Sequence, residues 1–307
     1  MSNQENLLIQ KIECNKNELD LSFLRESTFI EVLDLSGPKL ILKFDDKESI
    51  LRDRMKVKEL DELTVTIADP YARDGVNLIA KFVVLTMPVS GKEFVTLNCI
   101  QKEVNILKTP SIKAVLFSRK NVLTIFKRLL PDYRYDVDSS PIACDYHLLP
   151  GERASLLLRQ ISKENGAVIY ISRGKLFFKK LTSLFEAKPK IQYHYNDIKQ
   201  ENQIIFYSKL NAESVLKDKI VRNYSGFSMT DGYIKSRVDE GCPPEMTSIP
   251  YKVILNNLSI FPIPVIDFTV LGNGALMPGI PLELIWNRYN IEMPIDESLP
   301  SKVVIST

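Results

Sequence analysis

The sequence predicts a mainly β protein with an α+β insert, in which two tube-like β-barrel domains flank a small helix-plus-hairpin α/β domain. Three observations predict it. From Leu7 to Leu107, short runs of alternating apolar and polar residues are separated by turn residues. Between Ser118 and Gly166, two amphipathic helical stripes replace that alternation. Past Lys190 the strand-like pattern returns. The expected boundaries are 1–109 for the first β domain, 110–185 for the insert and 186–307 for the second β domain.

In the first domain, "PKLILKFDD" sends Leu40, Leu42 and Phe44 to one face and Ile41 and Lys43 to the other, because successive strand side chains alternate. "ELTVTIADP" repeats the pattern with Leu63, Val65 and Ile67 and stops at Asp69–Pro70. "LIAKFVVLTMPV" and "GKEFVTLNCIQKEV" are the next strands, with a turn at Ser90–Gly91 between them. Several short strands punctuated by turns build a compact barrel or sandwich.

In the insert, Val122, Ile125, Phe126 and Leu129 fall on one helical face. Ser118 is the expected N-cap and Pro131 the stop, since proline has no N–H for the helical ladder. Pro131 to Pro150 reads as loop. Ala154, Leu157, Leu158 and Ile161 then form a second stripe, with Arg153, Arg159 and Lys163 outside and a left-handed stop at Asn165–Gly166. "AVIYI", "SRGK" and "LFFKK" read as strand, tight turn and returning strand.

In the last domain "QIIFYSKL" is a strand, and "YSGFSMTDGYIKSR" turns at Asp231–Gly232. "GCPPEM" reads as a loop, and "PVIDFTVLGNGALMPGIPLELIWN" as strand, two turns and strand. "PSKVVIST" is a terminal strand. There is no low-complexity segment and no exact internal repeat; the two β domains are candidates for distant duplicates.

Lys and Arg total 40 against 38 Asp and Glu, a formal charge of +2, in a chain of 307 residues that is 45% hydrophobic and 25% charged. This is an ordinary globular balance, without the dense basic stripe of a nucleic-acid binder. Lys179–Lys180 and Lys188 to Lys190 read as solvated edges. Cys14, Cys99, Cys144 and Cys242 are widely spaced with no C-x-x-C, so reduced core thiols and a cytoplasmic origin are expected. "MSNQENLLIQKIEC" has no basic region followed by an apolar one, and "IFPIPVIDFTVL" is broken by Pro262, Pro264 and Asp267. Neither a cleaved signal nor a spanning helix is expected.

A search for chemistry returns no catalytic, cofactor-binding or metal residue. His147 and His194 are the only histidines, and no H-x-x-H or H-E-x-x-H accompanies them. Ser155 lies inside a helix stripe without a G-x-S-x-G elbow. "GNGALMPG" leads into a strand pattern, so it lacks the helix N-terminus that would hold a phosphate and reads as turns. Asp45–Asp46 and Asp296–Glu297 read as turn residues, and Trp286 as a core or interface aromatic.

The order of parts carries a resemblance. Leu158, Ile161, Ser162, Glu164 and Gly166, followed by Gly174, Lys175, Leu176 and Phe178, match the pattern "L-x-x-[IL]-[SA]-x-E-x-G … G-K-L-x-F". Asn273, Leu276, Pro278 and Gly279, with Ile280 directly after them, fall on the "N-x-x-L-x-P-G" part of an "N-x-x-L-x-P-G-x-x-[IVL]" hairpin. In these windows and in domain order the chain resembles the central baseplate hub proteins of contractile phage tails, of the late-control tail protein type, and the first part of type VI secretion valine-glycine repeat spikes. The resemblance implies a non-enzymatic homotrimer in the virion tail baseplate, assembled in the host bacterial cytoplasm. Its implied partners are the tail tube protein, the central spike protein and other baseplate or tape-measure proteins, with DNA only passing through the lumen and no stable membrane association. It implies no cofactor. Two other readings stand beside it: a tail-associated cell-wall or polysaccharide hydrolase using an unidentified carboxylate pair, and a receptor-binding tail adaptor with a carbohydrate pocket around exposed Tyr or Trp286.

Overall fold

The computed structural model describes residues 7–47, 49–70, 77–90, 93–140, 144–210, 221–236, 242–249, 251–288 and 294–307. The expected turn residue Gly91 and the loop residue Gly241 lie outside them, as does the side chain of Cys144.

The first β region is one antiparallel sheet of eight strands: β1 (Leu8–Cys14), β2 (Asn17–Glu18), β3 (Leu24–Ile30), β4 (Lys39–Asp45), β5 (Glu62–Ala68), β6 (Leu78–Thr86), β7 (Val89–Ser90) and β8 (Phe94–Gln101). Their spatial order is β2-β1-β5-β6-β8-β4-β3, with β7 added on β8. The alternation is realised as the period of the strand requires: Leu40, Leu42, Phe44, Leu63, Val65 and Ile67 are all buried, with Ile12, Phe82, Val84 and Leu97, in one apolar cluster. Cys14 and Cys99 belong to that core.

The strand pattern breaks earlier than "CIQKEV" suggests. Lys102–Lys108 forms helix α1, whose Val104 and Leu107 are buried three residues apart on one helical face. The insert follows with β9 (Val115–Lys120), α2 (Val122–Leu129), β10 (Arg134–Val137), β11 (Cys144–Leu148), α3 (Ala154–Asn165), β12 (Ala167–Ser172), β13 (Lys175–Lys180) and α4 (Leu181–Glu186). The stretch read as loop therefore holds two short strands. β10 runs parallel to β13, and β11 pairs antiparallel with β9.

Ser118 is not the cap of α2. It sits in β9 and donates to Asp145 Oδ1 at 2.9 Å, while Asn121 Oδ1 caps the helix by accepting Thr124 N–H at 2.9 Å. Helix α3 ends as expected, with Gly166 at φ 54, ψ 49 donating its N–H to Lys163 O. Its stripe and both hairpin strands pack with α1 and α2 in a second cluster centred on Ile125, Phe126, Leu158, Ile161, Ile171 and Phe178. Leu35, Ile100, Val104 and Leu107 also pack there. Lys179, expected on a solvated edge, is largely covered and ion-paired to Asp136 at 2.6 Å and Asp138 at 3.2 Å, because the parallel neighbour β10 brings both carboxylates beside it.

The last region holds β14 (Ile191–Tyr195), β15 (Gln203–Lys209), β16 (Asn223–Ser228), β17 (Gly232–Lys235), β18 (Pro244–Met246), helix α5 (Lys252–Leu258), β19 (Ile266–Val270), β20 (Pro281–Trp286) and β21 (Lys302–Val304). Five strands form a mixed sheet in the order β19-β15-β14-β20-β21, and three form another, β17-β16-β18. Part of "GCPPEM" is thus strand β18, paired with β16. β19 and β20 do not form a hairpin; β19 pairs with β15, and β20 runs parallel to β14. Parallel pairing of β14 with β20 needs a long crossover, which the segment carrying β16–β18 and α5 provides. The two β regions are not copies of each other as described: one sheet is wholly antiparallel, the other mixed. The chain is mainly β, with sheets curled into half-barrels.

Candidate assembly surfaces

The residues weighed for chemistry are dispersed. His147 is exposed on β11 opposite Leu116 of β9. His194 lies on β14, where its Nε2 meets Gln192 Oε1 at 3.2 Å and its Nδ1 is buried without a partner. Among the described residues, no group of three His, Cys, Asp or Glu is placed to hold a metal ion.

A cleft of about 190 Å³ between β11 and α3 is lined by Asp145, His147, Glu152 and Arg153. Its carboxylates are committed to backbone: Asp145 accepts Arg119 N–H at 2.6 Å and Glu152 accepts Leu149 N–H at 2.6 Å. The bond from Arg119 N–H holds the Asp145 carboxyl below the ordinary range, the opposite of what a general acid needs. Ser155 is buried in α3. Trp286 is a core residue, 2% exposed, with its indole N–H donated to Pro300 O at 2.8 Å, so it cannot stack on a sugar. Asp46, read as a turn residue, is buried and accepts Leu51 N–H at 2.9 Å and Arg52 Nε at 3.4 Å.

The exposed surface is organised around sheet edges. β2 and β3 end the first sheet's order, β19 and β21 the five-stranded sheet's, and β17 and β18 the three-stranded sheet's. An unpaired strand edge carries free backbone donors and acceptors and invites another strand. Outer-face charges on the first sheet are matched rather than of one sign: Lys11 with Glu13 at 2.7 Å, and Glu62 with Lys81 at 2.9 Å and Lys102 at 2.5 Å. A second opening, about 550 Å³, lies between the β16–β17 hairpin and α5, with Tyr233 and Tyr251 exposed on its wall.

The two sequence windows that carry the family resemblance meet in space. Arg173, in the β12–β13 turn, donates from Nη2 to Leu276 O at 2.9 Å. Gly279, at φ +85, lies where a Cβ would come within 2.4 Å of the Tyr170 hydroxyl. Asn273 Nδ2 donates to Tyr193 OH at 3.1 Å, and its Oδ1 accepts Ala275 N–H at 2.9 Å, which shapes the turn. "GNGALMPG" is a docking turn against the hairpin.

No protein-family model matches the chain, and no curated protein matches it in sequence. Its backbone has solved counterparts. A tail protein from Neisseria meningitidis MC58 aligns at TM-score 0.57 and 11% identity, over 92% of this chain and 87% of that one. The 43 kDa tail protein of prophage MuSo2 from Shewanella oneidensis aligns at 0.58 and 12% identity, over 97% and 91%. Prophage tail protein gp18 from Listeria monocytogenes EGD-e aligns at 0.51 and 13% identity, over 98% and 89%. This chain shares the fold of these three tail proteins.

Within that tail-protein fold, sequence reasoning missed Glu31, which accepts Ser172 Oγ, Arg173 N–H and Arg173 Nε, each at 2.9 Å. It also missed Asn257 of α5, fully buried, which accepts Thr182 Oγ1 at 2.6 Å and donates to Asn165 O at 3.3 Å. Neither belongs to a periodic pattern. A lone polar residue gives no local signal of a partner 75 to 142 residues away.

Proposed function

We propose that this protein is a structural component of a phage tail or a related injection machine: a homotrimeric baseplate hub that adapts the six-fold tail tube to a three-fold spike. The observation that carries the reading is a tail-protein fold extending over more than nine-tenths of the chain. Two curled β regions per chain, taken three times, give six lobes around an axis, which suits a six-fold partner on one side and a three-fold partner on the other. The division into two β domains at 1–109 and 186–307 around the insert at 110–185 belongs to this reading. It asks for two matching β domains per chain; the described strand orders, one wholly antiparallel and one mixed, do not supply that match, so the reading rests on the shared tail-protein fold.

The net charge agrees. A chain of formal charge +2 fits a lumen that lets DNA pass, whereas a densely basic one would hold phosphate through counterion release. The hub acts by shape and assembly, without catalysis, cofactor or metal. It works in the virion baseplate after assembly in the host cytoplasm, with tube, spike, and other baseplate or tape-measure proteins as neighbours.

Light scattering on the purified protein, alone and with its tube and spike partners, tests the reading. A trimer mass is expected. A strictly monomeric species at high concentration under both conditions overturns it.

A further inference from the structure

We infer that Arg173 is a positioning residue: a single guanidinium at the hairpin tip sets where the C-terminal β region sits against the first sheet. Glu31 follows directly on β3, the edge strand of that sheet, and is buried. One of its oxygens accepts Ser172 Oγ and Arg173 N–H, and the other accepts Arg173 Nε at 2.9 Å. Beyond Nε, the guanidinium carries its Nη2 across to Leu276 O, in the docking turn that precedes β20. Three distant stretches of chain therefore converge on one planar cation.

The base of that side chain is itself fixed. Arg173 and Gly174 have φ of 46 and 69, the left-handed pair of a tight turn whose strands are locked from Ala167↔Lys180 to Ser172↔Lys175. Arginine's fork is what the geometry uses. A lysine ammonium is a point charge without the planar fork that here meets Glu31 from Nε and Leu276 O from Nη2. Beside the clasp, Leu33 N–H donates to Ser306 O at 2.8 Å, so the exit of β3 is also tied to the end of the chain.

The energetics favour positioning over simple stabilisation. Burying an ion pair costs desolvation that its attraction barely offsets, and Nη1 of Arg173 is buried with no partner, which adds to that cost. An apolar contact would hold the regions together at lower cost but would not fix their register. A directional fork does, and fixed spacing of two β surfaces is what the hub reading, on which the significance of this clasp rests, demands.

Hydrogen exchange on the full-length protein tests it, comparing wild type with Arg173→Lys and Glu31→Gln. Loss of one charge-assisted bond is expected to cut protection at Leu33, and in the turn around Leu276, by about ten- to a hundredfold. Protection in the β4–β8 and β12–β13 ladders should stay at wild-type level. Unchanged exchange in both variants overturns the inference, and so does an equal loss throughout the chain, which would mean a general stabiliser. If Arg173→Lys does not fold, the same local pattern in Glu31→Gln decides. Mass measurement on the same samples separates the two claims: a monomeric wild type showing the local exchange pattern sinks the hub and keeps the clasp, and a trimer without that pattern does the reverse.

Discussion

Gly166→Ala probes the joint between helix α3 and helix α5. Gly166 holds φ 54, and a Cβ built on it falls 2.5 Å from Asn257 C, Asn257 Cβ and Leu258 N. Two of those atoms are backbone in a helix whose Asn257 is pinned by Thr182 and Asn165, so they cannot swing aside. Holding a non-glycine residue in the left-handed region costs about 1–2 kcal/mol. Forcing extra volume into a packed joint costs about 1–3 kcal/mol more. The expected loss is therefore about 2–5 kcal/mol.

Gly232→Ala supplies the control, because Gly232 has φ +69 but nothing within 4 Å of its would-be Cβ. It should lose only the conformational part, about 1–2 kcal/mol. Urea unfolding followed by circular dichroism, with the slope checked for constancy, measures both. Equal losses in the two variants would refute the steric argument, and with it the close packing of α5 on the end of α3.

The pH dependence of the Arg288–Asp296 pair has a definite sign. Hydrogen bonds from Arg288 and Ser298 hold the Asp296 carboxyl down at about 2, against an ordinary 3.8. A depressed carboxyl stabilises the fold above the unfolded value and loses that contribution as pH falls through the folded one. The stability gap between wild type and Asp296→Asn should be open above about pH 4 and closed near pH 2; a gap that stays constant contradicts the pairing. Burial pushes the Cys14 thiol up to about 11 and the Cys99 thiol to about 12. Neither these nor the buried Cys242 should react with a maleimide in the native protein, while all three should label in denaturant, as peptide mapping would reveal. Rapid native labelling at Cys14 or Cys99 would mean that the first sheet opens.

What could be read in the sequence was what local periodicity encodes. Leu40, Leu42 and Phe44 are buried because every second strand residue shares a face, and α3 with its hairpin was legible to the residue at Gly166. Short elements were not. Helix α1 spans Lys102–Lys108 and α4 spans Leu181–Glu186, too few residues for a helical stripe to stand out from a strand alternation. Ser118 and Asn121 are both competent N-caps; pairing of β9 with β11 took Ser118 into a strand and left the role to Asn121.

The sequence by itself determined that two β-rich stretches enclose a helix-and-hairpin unit, which faces of those elements are apolar, and where glycine must end a helix. Only the tertiary structure decided that the two β stretches differ in strand order, that β20 lies parallel to β14, and that Glu31, Arg173 and Leu276 share one contact. The physical reason is one of range. Side-chain alternation follows from bonds a few residues apart, whereas the surface that covers each apolar face is chosen among all the faces the chain can bring to it.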